Sequence, residues 1–372
     1  MTVTVADIIR LMETIAPPLL AEKWDNVGLQ VGQRDWPVKT LWLALDPLPS
    51  VVSHACEAGA DMLITHHPLI FKPLKSVDFS TPTGSVIHMA NQYQLAVFAA
   101  HTNLDNVTGG VNDVLASRIG VENLRVLSAP KFPDNYKLVV YVPAEYEQKV
   151  LCALSETKAG KIGEYSCCSF RTPGTGTFRP GDSAKPWIGK VGEIFHADEV
   201  RVEAVVPGAD LKKVIREIRA VHPYETMAYD VYPLQASETD QGLGRVGDLE
   251  SPMSLKDFAL KIKERLGLAW AKIAGSPDLM VHQTAICTGS GSSLMNDFFA
   301  SGAQVYLSGD LRYHDARDAE ARGLGLIDIG HFPSEHLIAE VLAERIRGLL
   351  SEIGSETKVE VCGSETDPFM IL

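Results

Sequence analysis

Five residues of metal-ligating type fall into two groups near opposite ends of the sequence. His66 and His67 stand side by side in THHPLIF, Asp105 closes HTNLD, and His331 and Glu335 lie four apart in GHFPSEH. Together they offer three imidazoles and two carboxylates, a donor set that suits zinc, iron, manganese or nickel. More than half of the chain separates Asp105 from His331, so only folding can unite them. Neighbouring side chains on a strand point to opposite faces. His66 and His67 can therefore share a pocket only where the strand has given way to a loop, as Pro68 indicates. One ion rarely takes both rings of adjacent histidines, because the backbone holds them apart. Two ions, each taking one ring, fit better, with a carboxylate such as Glu335 bridging ions about 3.5–4 Å apart.

The elements that must position these residues share one pattern. Met62-Leu63-Ile64 runs into His66-His67-Pro68, Leu95 to Ala99 runs into His101, and Leu324 to Ile329 runs into Gly330-His331. Short apolar runs that stop at Gly, Pro or polar residues read as buried strands. All five candidates then lie just beyond carboxyl ends of strands, where open α/β sheets place their sites. A lone His is usually a surface or satisfied core residue; three clusters, each at a strand end, are harder to obtain by chance. Thr284 to Thr288 also reads as a strand, and Gly289-Ser290-Gly291-Ser292-Ser293 after it reads as a turn opening a helix. Such a turn presents free N–H groups to an anion, or serves only as a tight connection, and it is expected on the same sheet edge as the ligand clusters. Val305-Tyr306-Leu307 is a further strand, and the helix after Pro333 buries a stripe of Leu337, Ile338, Val341, Leu342, Ile346 and Leu349.

The middle of the chain differs in character. Leu138 to Pro143 followed by Lys149-Val150 is echoed, at the same offset, by Val202 to Pro207 followed by Lys213-Val214. Each copy reads strand, Pro-marked turn, helix, and a further strand is expected at 227–232. Two such units predict a ferredoxin-like α+β domain, inserted at 130–239 into an α/β body built from residues 1–129 and 240–372. The stretch 169–181, SFRTPGTGTFRPG, reads as a long loop or hairpin tip. Residues 5–20 read as an amphipathic helix interrupted at Pro17-Pro18.

Composition narrows the class. The chain has 372 residues, 45% hydrophobic and 22% charged, ordinary values for a globular protein with room for two domains. No apolar run approaches the ~20 residues of a membrane span. No basic segment followed by an apolar stretch marks the start, so no signal peptide is visible. Six cysteines without a C-x-x-C pair point to a reduced, cytoplasmic setting. The net charge of −13 argues against nucleic-acid binding, which rests on phosphate neutralisation by Lys and Arg.

The motifs THHPLIF, HTNLD, SGDLRYHDA and GHFPSEH, with WDNVGLQVG and ETDPF near the two ends, resemble those of the dinuclear-metal-centre proteins known as GTP cyclohydrolase 1 type 2 homologues. The middle motifs SFRTPGTGTFRP, VHPYETMAYDVYPL and GLGRVG are similar to the longer bacterial members, whose inserted domain resembles PII signalling proteins. The resemblance implies His66, His67, Asp105, His331 and Glu335 as ligands to two divalent ions, and a toroidal homohexamer with the sites facing an internal cavity. Two functions stand open. One is metal-dependent hydrolysis of a nucleotide or related phosphorylated small molecule, GTP ring opening being the version the family name implies. His101, Asp310 and His314 are then the catalytic candidates: His101 or His314 as general acid or base, and Asp310, like Asn103, orienting the ligands. A structural role is the competing reading for all four. The other function is a non-enzymatic metal-binding or regulatory protein whose insert senses a small ligand, with His222, Tyr224 and Glu225 either lining that site or forming a turn.

Overall fold

The computed structural model describes residues 3–129, 135–234 and 240–370 of the chain. It is a mixed α/β fold with several sheets, divided into two compact units, Met1–Pro130 with Thr239–Leu372, and Lys131–Glu238. The first unit holds a five-stranded and a six-stranded sheet.

The five-stranded sheet has the order Lys358–Val361, Thr40–Ala44, Met62–Thr65, Ala96–Ala99, Gly28–Val31. Its first four strands run parallel, and Gly28–Val31 closes the edge antiparallel. Parallel neighbours need crossovers, supplied by the helices Pro49–Glu57 and Pro82–Tyr93. Met62–Thr65 and Ala96–Ala99 are buried at every position, as a sheet covered on both faces requires. Their side chains divide between two cores. Ile64 and Phe98 pack with Leu41, Leu43, Ile8 and Met12 on one face, and Leu63 and Val97 pack with Val52 and Val86 on the other.

The six-stranded sheet has the order Lys272–Ala274, Gly325–Asp328, Val305–Gly309, Met280–Ser290, Leu243–Ser254, Val121–Ser128. Its three middle-to-left strands, Gly325–Asp328, Val305–Gly309 and Met280–Ser290, are parallel, and the outer pairs are antiparallel. The C-terminal helix Leu337–Glu352 closes the first core with Ile338, Leu342 and Ile346. Of the expected stripe, Leu337, Val341 and Leu349 are only partly buried.

In the second unit the order is Tyr229–Pro233, Asn135–Pro143, Phe195–Pro207, Phe170–Phe178, all antiparallel. The two copies of the faint repeat become the two central strands, with Val140 opposite Val202. Each is followed by a helix, Glu147–Ser155 or Leu211–Val221, and Leu138, Val140 and Val142 pack with Val150, Leu154, Val214 and Ile218.

Four expectations need correction. Residues 170–178 form a strand, not a loop. It is an edge strand, exposed along nearly its whole length, and an edge tolerates Pro173 where a central strand would lose a ladder bond. Gly176 also has a packing reason, since a Cβ there would meet the Glu199 carboxylate at 2.1 Å. The strand expected at 227–232 runs from Tyr229 to Pro233. The first helix ends at Ile15, and only a short 3₁₀ turn, Pro18–Leu20, follows the Pro17-Pro18 break. The turn expected to open a helix at Gly289 does not, because the strand Met280–Ser290 runs through it into a 3₁₀ turn, and the helix Met295–Ser301 starts later. Among the described residues no helix is long and apolar enough to cross a membrane.

Ile346 is 0% exposed in the core of the first unit. Ile346→Ala should lower unfolding free energy by about 2–5 kcal/mol, read as a shift of the urea midpoint. Glu344→Ala, on the exposed side of the same helix, should stay within about 0.5 kcal/mol.

Candidate metal centre

The carboxyl ends of the parallel strands in both sheets of the first unit converge. Asp46, His66-His67 and His101 follow Thr40–Ala44, Met62–Thr65 and Ala96–Ala99, whereas Asp310 and His331 follow Val305–Gly309 and Gly325–Asp328. The site is thus assembled between two sheets, not along the edge of one. Asp105 reaches it from the short helix Thr102–Asn106, and Glu335 from His331–Glu335.

Glu335 sits at the middle and is 4% exposed. Its Oε1 lies 3.7 Å from His66 Nε2. Its Oε2 lies 3.1 Å from His67 Nε2 and 3.0 Å from His331 Nε2. Asp105 Oδ1 is 3.6 Å from His66 Nε2. Two triads of ligand atoms therefore share one carboxylate: His67, His331 and Glu335, and His66, Asp105 and Glu335, with atoms within 4.8 Å of one another in each. His101 joins His66 and His67 in a third such group.

The rings are fixed from behind. His66 Nδ1–H donates to the Ala100 carbonyl at 2.9 Å. His67 Nδ1–H donates to Asp46 at 2.8 Å, His101 Nδ1–H to Asp25 at 2.9 Å, and His331 Nδ1–H to Asp310 at 2.8 Å. A carbonyl or carboxylate can only accept, so each Nδ1 carries a proton, and Nε2 offers its lone pair once any second proton leaves. This is the arrangement that readies imidazole for a metal. His66 Nε2, Asp105 Oδ1 and Glu335 Oε2 are buried without a hydrogen-bond partner. An unmatched buried polar atom costs about 1–3 kcal/mol, and more when charged. With Nε2 unprotonated all three are acceptors, and a metal cation would satisfy them together. These buried His, Asp and Glu groups could hold a metal ion.

Several residues support the cluster in ways the sequence did not assign. The Asp46 backbone N–H and that of Leu45 are both held by the Glu365 carboxylate, at 2.8 Å to its nearer oxygen in each case, which gives the first acid of ETDPF a place behind the cluster. The fully buried Asp25 side chain of WDNVGLQVG also accepts from the Thr102 backbone at 3.0 Å. Asn112 donates to the Asp105 carbonyl at 3.0 Å and accepts from the Thr288 N–H at 2.9 Å, tying the two sheets together behind the cluster. Gly289 is where it is for a steric reason. A Cβ there would meet Glu335 Oε1 at 2.1 Å, and its φ is +62°. Asp46 offered a readable signal as an acid ending the apolar run 41–45, and Asp25 and Glu365 lay in the motifs WDNVGLQVG and ETDPF.

Of the four residues offered catalytic or orienting roles, two lie at the cluster. His101 packs against His66 and His67, with ring centroids 5.2 and 5.6 Å away. Asp310, held at φ 51°, positions His331. Asn103 does not orient a ligand: its amide donates to the Ala16 carbonyl at 2.7 Å, at the end of the first helix. His314 is exposed on the helix Tyr313–Ala321, edge-on to Tyr313, and belongs to none of the three ligand groups. The Gly/Ser turn is a tight connection, with Ser292 Oγ donating to Asp315. In the second unit, His222 bonds the Tyr141 carbonyl at 2.9 Å and Tyr224 OH donates to Glu199 at 2.8 Å, so both close a structural turn.

Charge in the cluster is finely opposed. Burial works against a proton on His67, but hydrogen bonds to Asp46 and Glu335 prevail and carry it to about 10. The Glu335 contact lifts His331 to about 9 against the effect of burial. Burial would raise Glu335, yet the imidazoles of His331, His66 and His67 hold it well below the ordinary range. Burial would also raise Asp25, but His101 and Thr102 hold it at about 2, ionised throughout the physiological range.

An α/β protein with a buried histidine–carboxylate cluster at the meeting of two sheets is the class these features define. A family model for Duf34/NIF3 (NGG1p interacting factor 3) matches residues 3–368. The GTP cyclohydrolase 1 type 2 homolog of Bacillus subtilis is 41% identical over 366 residues, 98% of each chain. The solved structure of a Bacillus cereus protein related to NIF3 is 36% identical, with TM-score 0.75 over 100% of this chain and 99% of that one. Staphylococcus aureus protein SA1388 is 30% identical, with TM-score 0.81 over the same shares. The chain belongs to the Duf34/NIF3 family.

Two outcomes follow from the cluster. Asp46→Ala should weaken zinc binding by about 10–100-fold, read by competition with a chromogenic chelator. Any cation must displace the protons of His67 and His331 at neutral pH. Zinc titration at pH 7 should therefore release protons, measured calorimetrically in buffers of different ionisation enthalpy, and affinity should rise with pH towards 9–10. In chelator-stripped protein the sign of the stability effect is opposite. Both folded-state values lie above the ordinary 6.5, so their stabilisation is complete below about pH 6.5 and is lost as pH rises through about 9 to 10.

Proposed function

We propose that the cluster binds two divalent ions, which His66, His67, Asp105, His331 and Glu335 would hold between them. The observation that carries this reading is the single buried carboxylate common to two ligand triads. The donor set admits zinc, iron, manganese or nickel, and cellular supply decides among them. Ions in such a pair polarise a phosphoryl or carbonyl oxygen and acidify water at neutral pH.

The function that fits is metal-dependent hydrolysis of a nucleotide or related phosphorylated small molecule, of the GTP cyclohydrolase 1 type 2 kind for which the Bacillus subtilis relative is named. The chain's own contribution would be proton handling. Asp25 fixes the tautomer of His101, so His101 can take or give a proton at Nε2 beside the ions. Asp310 is a positioning residue for His331.

A second reading, a regulatory protein whose ferredoxin-like, PII-like insert senses a ligand, is favoured by one feature of the second unit. A cavity of about 330 Å³ there is lined by residues that include Cys152, Cys167, Cys168 and Arg171. The family resemblance adds a toroidal homohexamer, and the cysteine usage a cytoplasmic setting, which sedimentation velocity and cell fractionation test.

Elemental analysis of protein purified without chelator should find about two metal equivalents per chain, falling sharply in Glu335→Ala. His101→Gln should keep the metal and lose about 10²–10⁴-fold in turnover on the most active member of a nucleotide and phosphoester panel. A metal-replete protein that turns over none of the panel would shift the balance to the regulatory reading.

A further inference from the structure

Two large aromatic side chains stand exposed beside the cluster. Trp24 is 59% and Phe71 46% exposed. Their rings meet edge to face, with centroids 5.7 Å apart and planes at 62°. Both also lie edge-on to His101, Trp24 at 6.1 Å and 74°, Phe71 at 6.4 Å and 73°. His101 in turn touches the rings of His66 and His67. The aromatic pair is thus one ring away from the ligand atoms.

The pair is anchored, although neither ring is in a core. Asn26, two positions after Trp24, donates to the Ile70 carbonyl at 2.6 Å, and the Ile70 N–H donates to Gln30 at 3.2 Å. Ile70 directly precedes Phe71, so the two ring-bearing segments are tied across the sequence. Trp24 also directly precedes Asp25, the carboxylate that fixes His101. The backbone that orients the histidine therefore sets the indole as well. A flexible surface aromatic would need none of this support.

We infer that Trp24 and Phe71 form a stacking platform for the planar heteroaromatic ring of a nucleotide-type substrate whose polar end reaches the cluster. This rests on the hydrolase reading and deepens it by assigning the residues that recognise the ring. Every nucleobase has a π-face, and stacking on an exposed indole needs no base-specific hydrogen bond. The platform therefore selects for a ring, and the choice among rings is left to other contacts. Phe71 braces the indole edge-on, and both rings gain apolar contact when a ligand covers them.

The test compares GMP with ribose 5-phosphate, which has the sugar and phosphate but no ring. Binding is titrated calorimetrically on full-length protein, both metal-replete and chelator-treated, with metal content fixed by elemental analysis. GMP should bind more tightly than ribose 5-phosphate and quench indole emission. Trp24→Ala should weaken GMP by about 10–100-fold and leave ribose 5-phosphate within about twofold. Trp24→Phe should restore most of the GMP affinity while abolishing the quench, which a merely structural role would not do. Equal binding of the two ligands, no GMP binding, or unchanged GMP affinity in Trp24→Ala would overturn the proposal. So would a changed sedimentation coefficient for Trp24→Ala with ligand binding intact, since the pair would then face a second copy of the chain. Absence of stoichiometric metal would defeat the hydrolase reading separately, because the ring preference is also measured without metal.

Discussion

The structure of the first unit turns on one buried carboxylate. Glu335 has three imidazole nitrogens within 3.7 Å and almost no access to water. Desolvating a charge costs several kcal/mol, and Glu335 recovers it only because His66, His67 and His331 come to it from two sheets. Any slip in either sheet would leave the charge uncompensated. The surrounding features read as precautions against that slip: Asn112 bonding both sides, Glu365 clamping the Asp46 backbone, and Gly289 leaving room for the carboxylate.

The same constraint explains the burial pattern. Short parallel strands buried on both faces bring their carboxyl ends to fixed heights. Loops starting there inherit that precision, which a site on long loops would lack. The fully buried Arg245 extends the principle. Its guanidinium pairs with Asp113 at 2.7 Å and donates to the carbonyls of Val107, Gly242 and Gly244, fixing the chain just beyond the helix that carries Asp105. Removing one partner from such a buried pair generally costs about 3–5 kcal/mol.

Acidity at the centre and protonation of its rings are two sides of one balance. Imidazoles crowding a carboxylate are held charged by it, and a cation entering the cluster replaces protons with its own charge. That exchange suits the donor set to a metal cation and not to an anion. His101, tied to Asp25, stands beside the same rings of His66 and His67.

The sequence by itself determined which residue types could bind metal, that apolar runs would deliver them at strand ends, and that the chain resembles a known family. Those are local signals: a period, a terminating proline, a motif. It also marked two supporting acids indirectly, since Asp25 and Glu365 lie in motifs whose purpose was not legible. What only the tertiary structure decided is how the ends meet. The existence of two converging sheets, the sharing of Glu335 between two triads, and the roles of Asp46, Asn112 and Gly289 depend on contacts between residues far apart in the chain. Asn103 and His314 looked equivalent to His101 and Asp310 in one dimension, because proximity to a motif does not say where a side chain points. The edge strand 170–178 escaped notice for the related reason that Gly and Pro forbid a central strand but not an exposed edge, and position in a sheet is a tertiary property.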